Sequence, residues 1–223
     1  MKKSAKHKVR SRKKAIILLS GGIDSTTTLY LAKKLGYKCH ALIFNYGQRH
    51  RKEVIRASRI ARLSGTPYQI IKINLPWKGS SLLDASKKLP SRTLVKDLAK
   101  EIPSTYVPGR NTIFLSFALS FAEAVGASAV FIGANAVDFS GYPDCRPSYY
   151  RALRKVVKEG TKIKKIKLMT PLIKMTKSEI IKLGRKLGAP LDITWSCYAG
   201  GKKPCGVCDS CVIRNKGFSE AGT

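Results

Sequence analysis

Short apolar runs alternate with longer segments of helical spacing from residue 15 to near residue 187, and this alternation constrains the fold more than any other feature. "KAIILLS" has the pattern of a buried strand. Residues 26–34 have helical spacing, with Gly36 just past the end as a C-cap. "KCHALIFNYG" reads as a second strand, residues 52–64 as a helix stopped by Gly65, and "PYQIIKINL" as a third strand. Residues 76–108 are polar and irregular and predict no clear element. "NTIFLSFALSFAEAVGA" is an apolar helix opened by Asn111, "SAVFIGAN" a fourth strand and "PSYYRALRKVVKEG" a basic helix, with a short strand following near residues 166–168. Residues 176–187 form a last helix. Its start, "TKSE", puts Thr176 three residues ahead of Glu179, as a capping box requires. There are no internal repeats. Strands separated by helices specify an α/β fold with a parallel sheet covered on both faces. Such sheets bind ligands beyond the strand C-termini, at a switch in strand order. The turn at residues 20–24 and "GAN" at 133–135 both end strands.

The 223 residues suit one domain with a small appendage, long enough to bury a core without staples. Lys plus Arg number 43 against 13 Asp plus Glu, a net charge of +30. Such a surface attracts phosphates, nucleic acid and acidic small molecules, and implies a non-specific RNA contact. Residues 1–14 hold eight Lys or Arg and no acid, the composition of a disordered tail or an RNA-contacting arm. No apolar run reaches the roughly 20 residues of a membrane span. "AIILL" is too short for a signal-peptide core. A cytoplasmic chain is expected, divided into the tail (1–14), an α/β domain (15–195) and a four-cysteine segment (196–223).

The first strand runs straight into Ser20-Gly21-Gly22-Ile23-Asp24, then four hydroxyls, Ser25 to Thr28. Glycines expose backbone N–H groups, a helix start adds its positive end, and hydroxyls add donors, so the stretch is a cradle for phosphate. It lacks the lysine that kinase and GTPase loops carry after the second glycine. Asp24 either holds Mg²⁺ bridging phosphates or caps the helix. SGGxDS after a first strand resembles the pyrophosphate loop of the PP-loop ATP pyrophosphatases, which implies a Rossmann-like, adenine nucleotide alpha hydrolase-like fold. The resemblance also implies Mg-ATP held by residues Leu19, Ser20, Gly21, Gly22, Ile23, Asp24, Ser25, Thr26, Thr27, Thr28 and Leu29, with attack at the α-phosphorus.

Three further stretches narrow the substrate: "FNYGQRH" (44–50), "VPGRN" (107–111) and "GANAVDFSGYPDCRPSY" (133–149). Together with the loop and the cysteines, in this order from about residue 15 to the C-terminus, they resemble the 7-cyano-7-deazaguanine synthase family. The resemblance implies ATP-dependent conversion of 7-carboxy-7-deazaguanine and ammonia to the nitrile, for queuosine or archaeosine modification of tRNA, and a homodimer. A deazaguanine needs a carboxylate for its N1–H and 2-amino group, an aromatic to stack on, and a cation for its own carboxylate. Asp138 or Asp144, Phe139 or Tyr142, and Arg146 can supply these. Gln48 and His50 are candidates for adenine or substrate, or for structural roles. Arg110, after Gly109 at a helix start, suits a phosphate contact, and Lys177 resembles the superfamily's lysine that meets the ATP phosphates. Cys145 either shapes the pocket or is a catalytic thiol.

Cys197, Cys205, Cys208 and Cys211 are spaced C-x7-C-x2-C-x2-C. Four thiolates close a tetrahedral structural zinc site, and the family carries one there. An iron–sulfur cluster is the rival occupant. It would accompany a rival function, sulfur transfer to tRNA by a PP-loop thiolase. Such thiolases bring an RNA-binding domain and paired reactive cysteines or a cluster; this chain has no room for the domain and a single loop cysteine, Cys145, outside the four. Cys39 sits in a strand and reads as core.

Overall fold

The computed structural model describes residues 13–91, 102–137, 141–162 and 164–222. Most of the basic tail therefore lies outside the described residues, as do Asp138 and Phe139. Five strands, β1 (Lys14–Leu18), β2 (Lys38–Asn45), β3 (Tyr68–Lys72), β4 (Ala129–Phe131) and β5 (Lys167–Met169), form one sheet in the order β3-β2-β1-β4-β5. Every pair is parallel; Ile17 stands between Ala41 of β2 and Phe131 of β4. The order runs outward from β1 to β3, then reverses to β4, so the switch falls between β1 and β4.

The strands are near-continuous apolar runs because both faces are covered. One face presents Ile16, Leu18, Leu42 and Val130 to helices α3 (Arg110–Val125) and α4 (Pro147–Gly160). The other presents Ala15, Ile17, Ala41 and Phe131 to α1 (Ile23–Lys34) and α2 (Lys52–Leu63). Helices α5 (Lys177–Lys186) and α6 (Asp209–Glu220) pack on one another, and Ile180, Ile181 and Ala221 bury against Ile23 of α1. Cys39 is core, as expected. No helix among the described residues is long and apolar enough to cross a membrane.

Several boundaries, and one whole helix, differ from the sequence reading. Helix α1 starts at Ile23 rather than residue 26, because Gly22 at its N-cap is extended and the chain enters the helix at once. Asp24 is therefore in the first turn and not a cap. Strand β4 stops at Phe131, and Ile132 N makes one more bond to Met169 O before the chain leaves the sheet. Strand β1 begins at Lys14, one residue inside the expected tail, and the Lys14 ammonium donates to Val125 O (2.8 Å). Helix α6 has no counterpart in the sequence reading. The capping box at Thr176 is formed: the Thr176 hydroxyl accepts from Glu179 N, and Glu179 Oε2 accepts from Thr176 N.

Candidate active site

A cavity of ≈ 240 Å³ opens beyond the strand C-termini at the switch. Two glycines let its walls close. Gly21 has φ +83°, and a Cβ there would lie 2.6 Å from Ala57 N and 2.8 Å from Glu53 O of α2. A Cβ on Gly133, after β4, would lie 2.8 Å from the Asp24 carbonyl carbon. Both positions exclude a side chain, so β1, β4 and the starts of α1 and α2 meet around one point.

Leu19, Ser20, Gly22, Ile23, Asp24 and Ser25 line the cavity. Ser20 and Ser25 hydroxyls are 3.0 Å apart, the Ser25 hydroxyl accepts from Ser20 N (3.2 Å), and the Ser20 hydroxyl accepts from Gly22 N (3.4 Å). These donors satisfy one another and are placed to turn to an anion. The rest of the expected ATP stretch does not line the cavity. Gly21 turns the backbone behind it; the Thr26 hydroxyl donates to Gly22 O (2.7 Å); Thr27, Thr28 and Leu29 are buried in α1. Only the first turn of a helix faces a ligand at its end, so the later hydroxyls serve packing.

Asp24 and Lys177, 153 residues apart, meet in the cavity wall. The Lys177 ammonium lies 2.6 and 2.8 Å from the two Asp24 oxygens, with side chains only 10% (Lys177) and 19% (Asp24) exposed. Lys177 is the first residue of α5, held there by the Thr176 cap. Its stem runs over Gly217 of α6, where a Cβ would come within 2.8 Å of Lys177 Cβ and closer still to Cγ.

A polar cluster forms another part of the wall. Arg110 donates to the Tyr46 hydroxyl (3.0 Å) and stands among Tyr142, Tyr198 and Glu53. Burial works against its charge, yet the net shift is upward and the guanidinium stays a cation, with the Tyr46 hydroxyl accepting one of its N–H groups and the Glu53 carboxyl nearby. Burial raises the phenols of Tyr46, Tyr142 and Tyr198, which stay neutral. Burial likewise lifts the Glu53 carboxyl, against the pull of Arg110 and His50. Arg110 is positioned from behind. Asp144 Oδ2 accepts from Asn111 N (3.1 Å) and Asp144 O from Asn111 Nδ2 (3.2 Å), supplying the α3 N-terminus with a cap that Gly109 cannot. Asp144 itself is buried and does not line the cavity; Tyr142 and Cys145 do. Burial, then Asp144, push the Cys145 thiol up to about 12.

Gln48, His50 and Arg146 do not line the cavity. Gln48 closes the turn after β2, accepting from Tyr46 N (2.8 Å) and donating to Phe44 O (3.2 Å). His50 Nε2 bonds Cys197 O (2.9 Å) and docks the C-terminal segment. Arg146 is exposed at the start of α4. Sequence reasoning missed Tyr46, Glu53, Asn111, Trp195, Tyr198 and Arg214 among the lining residues. Tyr46 and Asn111 stood inside quoted motifs, and Glu53 lies three residues past one; Tyr198 and Trp195 had only the neighbouring Cys197 as a signal.

The wall from Trp195 to Arg214 is carried by the cysteines. Their four Sγ atoms lie within 4.8 Å of one another. Zn–S bonds of about 2.3 Å set tetrahedral sulfurs about 3.8 Å apart, so the cluster fits zinc with a slight contraction. Cys205 N donates to Cys197 Sγ (3.3 Å) and Cys208 N to Cys205 Sγ (3.4 Å), bonds that favour thiolates. Helix α6 starts directly after Cys208, and its positive end adds to this. The segment is bound to the phosphate loop through Trp195 N, which donates to Gly21 O (2.9 Å). The Trp195 indole donates to Cys197 O (2.8 Å), and the Lys52 ammonium sits 4.3 Å over its ring.

A family model described as "Queuosine biosynthesis protein QueC" matches residues 14–222. Similar curated proteins are the 7-cyano-7-deazaguanine synthase of Cyanothece sp., 54% identical over 218 residues (93% of this chain, 95% of that one), and that of Thermoplasma acidophilum, 51% identical over 215 residues (95% and 90%). Among solved structures, the NMN synthetase of Francisella tularensis shares the fold, with a TM-score of 0.50 at 15% identity, covering 96% of this chain and 88% of that one.

Proposed function

The chain belongs to the QueC family of queuosine biosynthesis proteins, and from that premise we propose that it forms 7-cyano-7-deazaguanine from 7-carboxy-7-deazaguanine, ammonia and ATP. The observation that carries the reading is the convergence, in one cavity, of the Ser20–Ser25 loop, the Asp24–Lys177 pair and the Arg110 cluster. Ser20, Gly22 and Ser25 hold the β and γ phosphates. Lys177 neutralises phosphate charge, and Asp24 positions the Mg²⁺ that arrives with ATP. A carboxylate is a poor acyl electrophile, so its oxygen attacks the α-phosphorus and pyrophosphate leaves. Ammonia then displaces AMP to give the amide. The amide oxygen attacks a second ATP, and loss of AMP and a proton gives the nitrile. No protein nucleophile is required, in keeping with the neutral thiol at Cys145. That thiol also counts against sulfur transfer, which needs a reactive thiolate. Zinc held by Cys197, Cys205, Cys208 and Cys211 is structural: four sulfurs leave no open position.

The partners of the reading are a second copy of the chain and RNA, in the cytoplasm. The outward face of α3, with Phe117 exposed and no Lys or Arg from Asn111 to Val125, supports a homodimer in a chain of charge +30. The charge itself supports non-specific, salt-dependent RNA contact. The test is incubation with 7-carboxy-7-deazaguanine, ammonium and Mg-ATP, with mass analysis. The nitrile is expected, with two AMP and two pyrophosphate per product and an amide on the way; absence of the nitrile overturns the reading.

A further inference from the structure

Glu53 is a carboxylate in the cavity that the steps above leave unused. It stands in the first turn of α2 and lines the cavity beside Arg110 and Tyr46. Among the described residues no hydrogen bond reaches its carboxylate; Arg110 and His50 act on it only as nearby charges. Arg110 directs one N–H to Tyr46 and has others to offer. A half-buried carboxylate that faces the cavity beside a guanidinium, yet is not paired with it, has both oxygens open to donors that a ligand supplies.

The edge of a 7-deazaguanine carries an acceptor and two donors in a row: O6, N1–H and the 2-amino group. We propose that Glu53 accepts from N1–H and the 2-amino group while Arg110 donates to O6, so that this pair selects the guanine-type base. The inference rests on the ligase reading and assigns its specificity. Two parallel N–H donors match the two oxygens of one carboxylate. Adenine offers one amino donor beside a bare N1, whose lone pair would face a carboxylate oxygen, so the base of ATP is rejected from this seat. Asp144, the carboxylate expected for this task from the sequence, has Oδ2 engaged by Asn111 N and stands off the cavity. Asn111 in turn keeps Arg110 at the head of α3.

The test compares 7-carboxy-7-deazaguanine with an analogue lacking the 2-amino group, in the wild type and in Glu53→Gln. Loss of the amino group should raise the wild-type KM by roughly 10- to 100-fold, the discrimination given by a good bidentate contact. In Glu53→Gln the KM for the natural substrate should rise by a similar factor, the KM for ATP should stay within about twofold, and the analogue should fare nearly as well as the natural substrate, because the two changes remove one interaction. An undiminished analogue penalty in Glu53→Gln, or a rise in the ATP KM instead, overturns the inference while the ligase reading stands. A wild type that forms no nitrile overturns the ligase reading itself, and the inference with it. The unchanged ATP KM is the check on folding, and Glu53→Asp, measured the same way, replaces Glu53→Gln if that variant is not recovered folded.

Discussion

The phosphate loop and the C-terminal wall face the same cavity but are built in opposite ways. The loop, Ser20 to Ser25, runs from just after β1 into the first turn of α1, and its hydroxyls and backbone satisfy one another locally. The wall takes Trp195, Ser196, Tyr198, Ser210, Ile213 and Arg214 from a segment that follows the short 3-10 turn Leu191–Ile193 and is irregular up to α6. Four sulfurs, His50 on Cys197 O and Lys52 on Gly201 O hold it in place. A strand–turn–helix sets its own geometry wherever the sheet forms, whereas the wall has a geometry only when its sulfurs are drawn together. Among the described residues, the hydrogen bond from Trp195 N to Gly21 O joins the two.

The largest effect is expected where the loop's chemistry is removed without moving the wall. Asp24→Ala takes away the carboxylate that the Lys177 ammonium meets at 2.6 Å, and breaking a buried pair costs about 3–5 kcal/mol, equivalent to about 10²–10⁴ in an equilibrium. Turnover should fall by at least about 10³-fold and Mg-ATP affinity with it, as calorimetry and product assays would record. Near-normal turnover would leave Asp24 no role beyond the first turn of α1. Cys205→Ser should act next, and on the other region. One zinc per chain is expected in the wild type by metal analysis, lost in the variant or on chelation. The melting temperature should drop and ATP should bind more weakly, as Trp195 releases Gly21. Iron with sulfide in place of zinc would reverse the assignment of the site and return the thiolase to contention.

The same contrast explains what could be read in the sequence. The loop was legible because strand, glycines, Asp24 and hydroxyls are neighbours in the chain, and the sheet because alternation of apolar runs fixes it. The four-cysteine cluster was legible by spacing. The wall's other residues were not, because no local pattern tells which side chain of an irregular segment faces inward. Helix α6 was missed because it has almost no apolar period and contains Gly217, a residue that reads as a helix breaker. That glycine is there for Lys177, which crosses it, and such a reason is visible only when two distant helices are seen together. Gln48, His50 and Asp144 were legible as special but not as supports, since a motif marks a residue without saying whether it touches the ligand or holds one that does.

A smaller change probes that crossing. Gly217→Ala places a methyl group where Lys177 Cβ and Cγ now lie. Overpacking of this kind costs about 1–3 kcal/mol, and here the movable atoms belong to the lysine. Turnover should fall roughly tenfold, by the conversion of about 1.4 kcal/mol per decade, with zinc content unchanged, which separates it from Cys205→Ser. An unaltered rate would show that Lys177 reaches Asp24 without this gap.

The smallest effect is expected at Cys145, the one loop cysteine outside the metal set. It lines the cavity, accepts a bond from Asn111 Nδ2 (3.5 Å) and has its thiol pushed up to about 12 by burial and then by Asp144. At neutral pH it is a thiol, too weak a nucleophile for a covalent step. Cys145→Ser keeps a small polar group against Asn111 and should change turnover by no more than about fivefold, about 1 kcal/mol of barrier. The stability of the variant carries a sharper signature. A thiol with a folded pKa above its unfolded value, near 9, contributes stability that is fully present below about 9. As pH rises the unfolded chain loses this proton first, so the contribution is lost between about 9 and about 12. Denaturant titrations across that window should show a steeper alkaline loss in the wild type than in Cys145→Ser, and the two slopes should coincide below it. A dead variant, with a substrate adduct trapped on the wild type, would instead make Cys145 a nucleophile and move part of the chemistry from the phosphate loop to the base-binding side of the cavity.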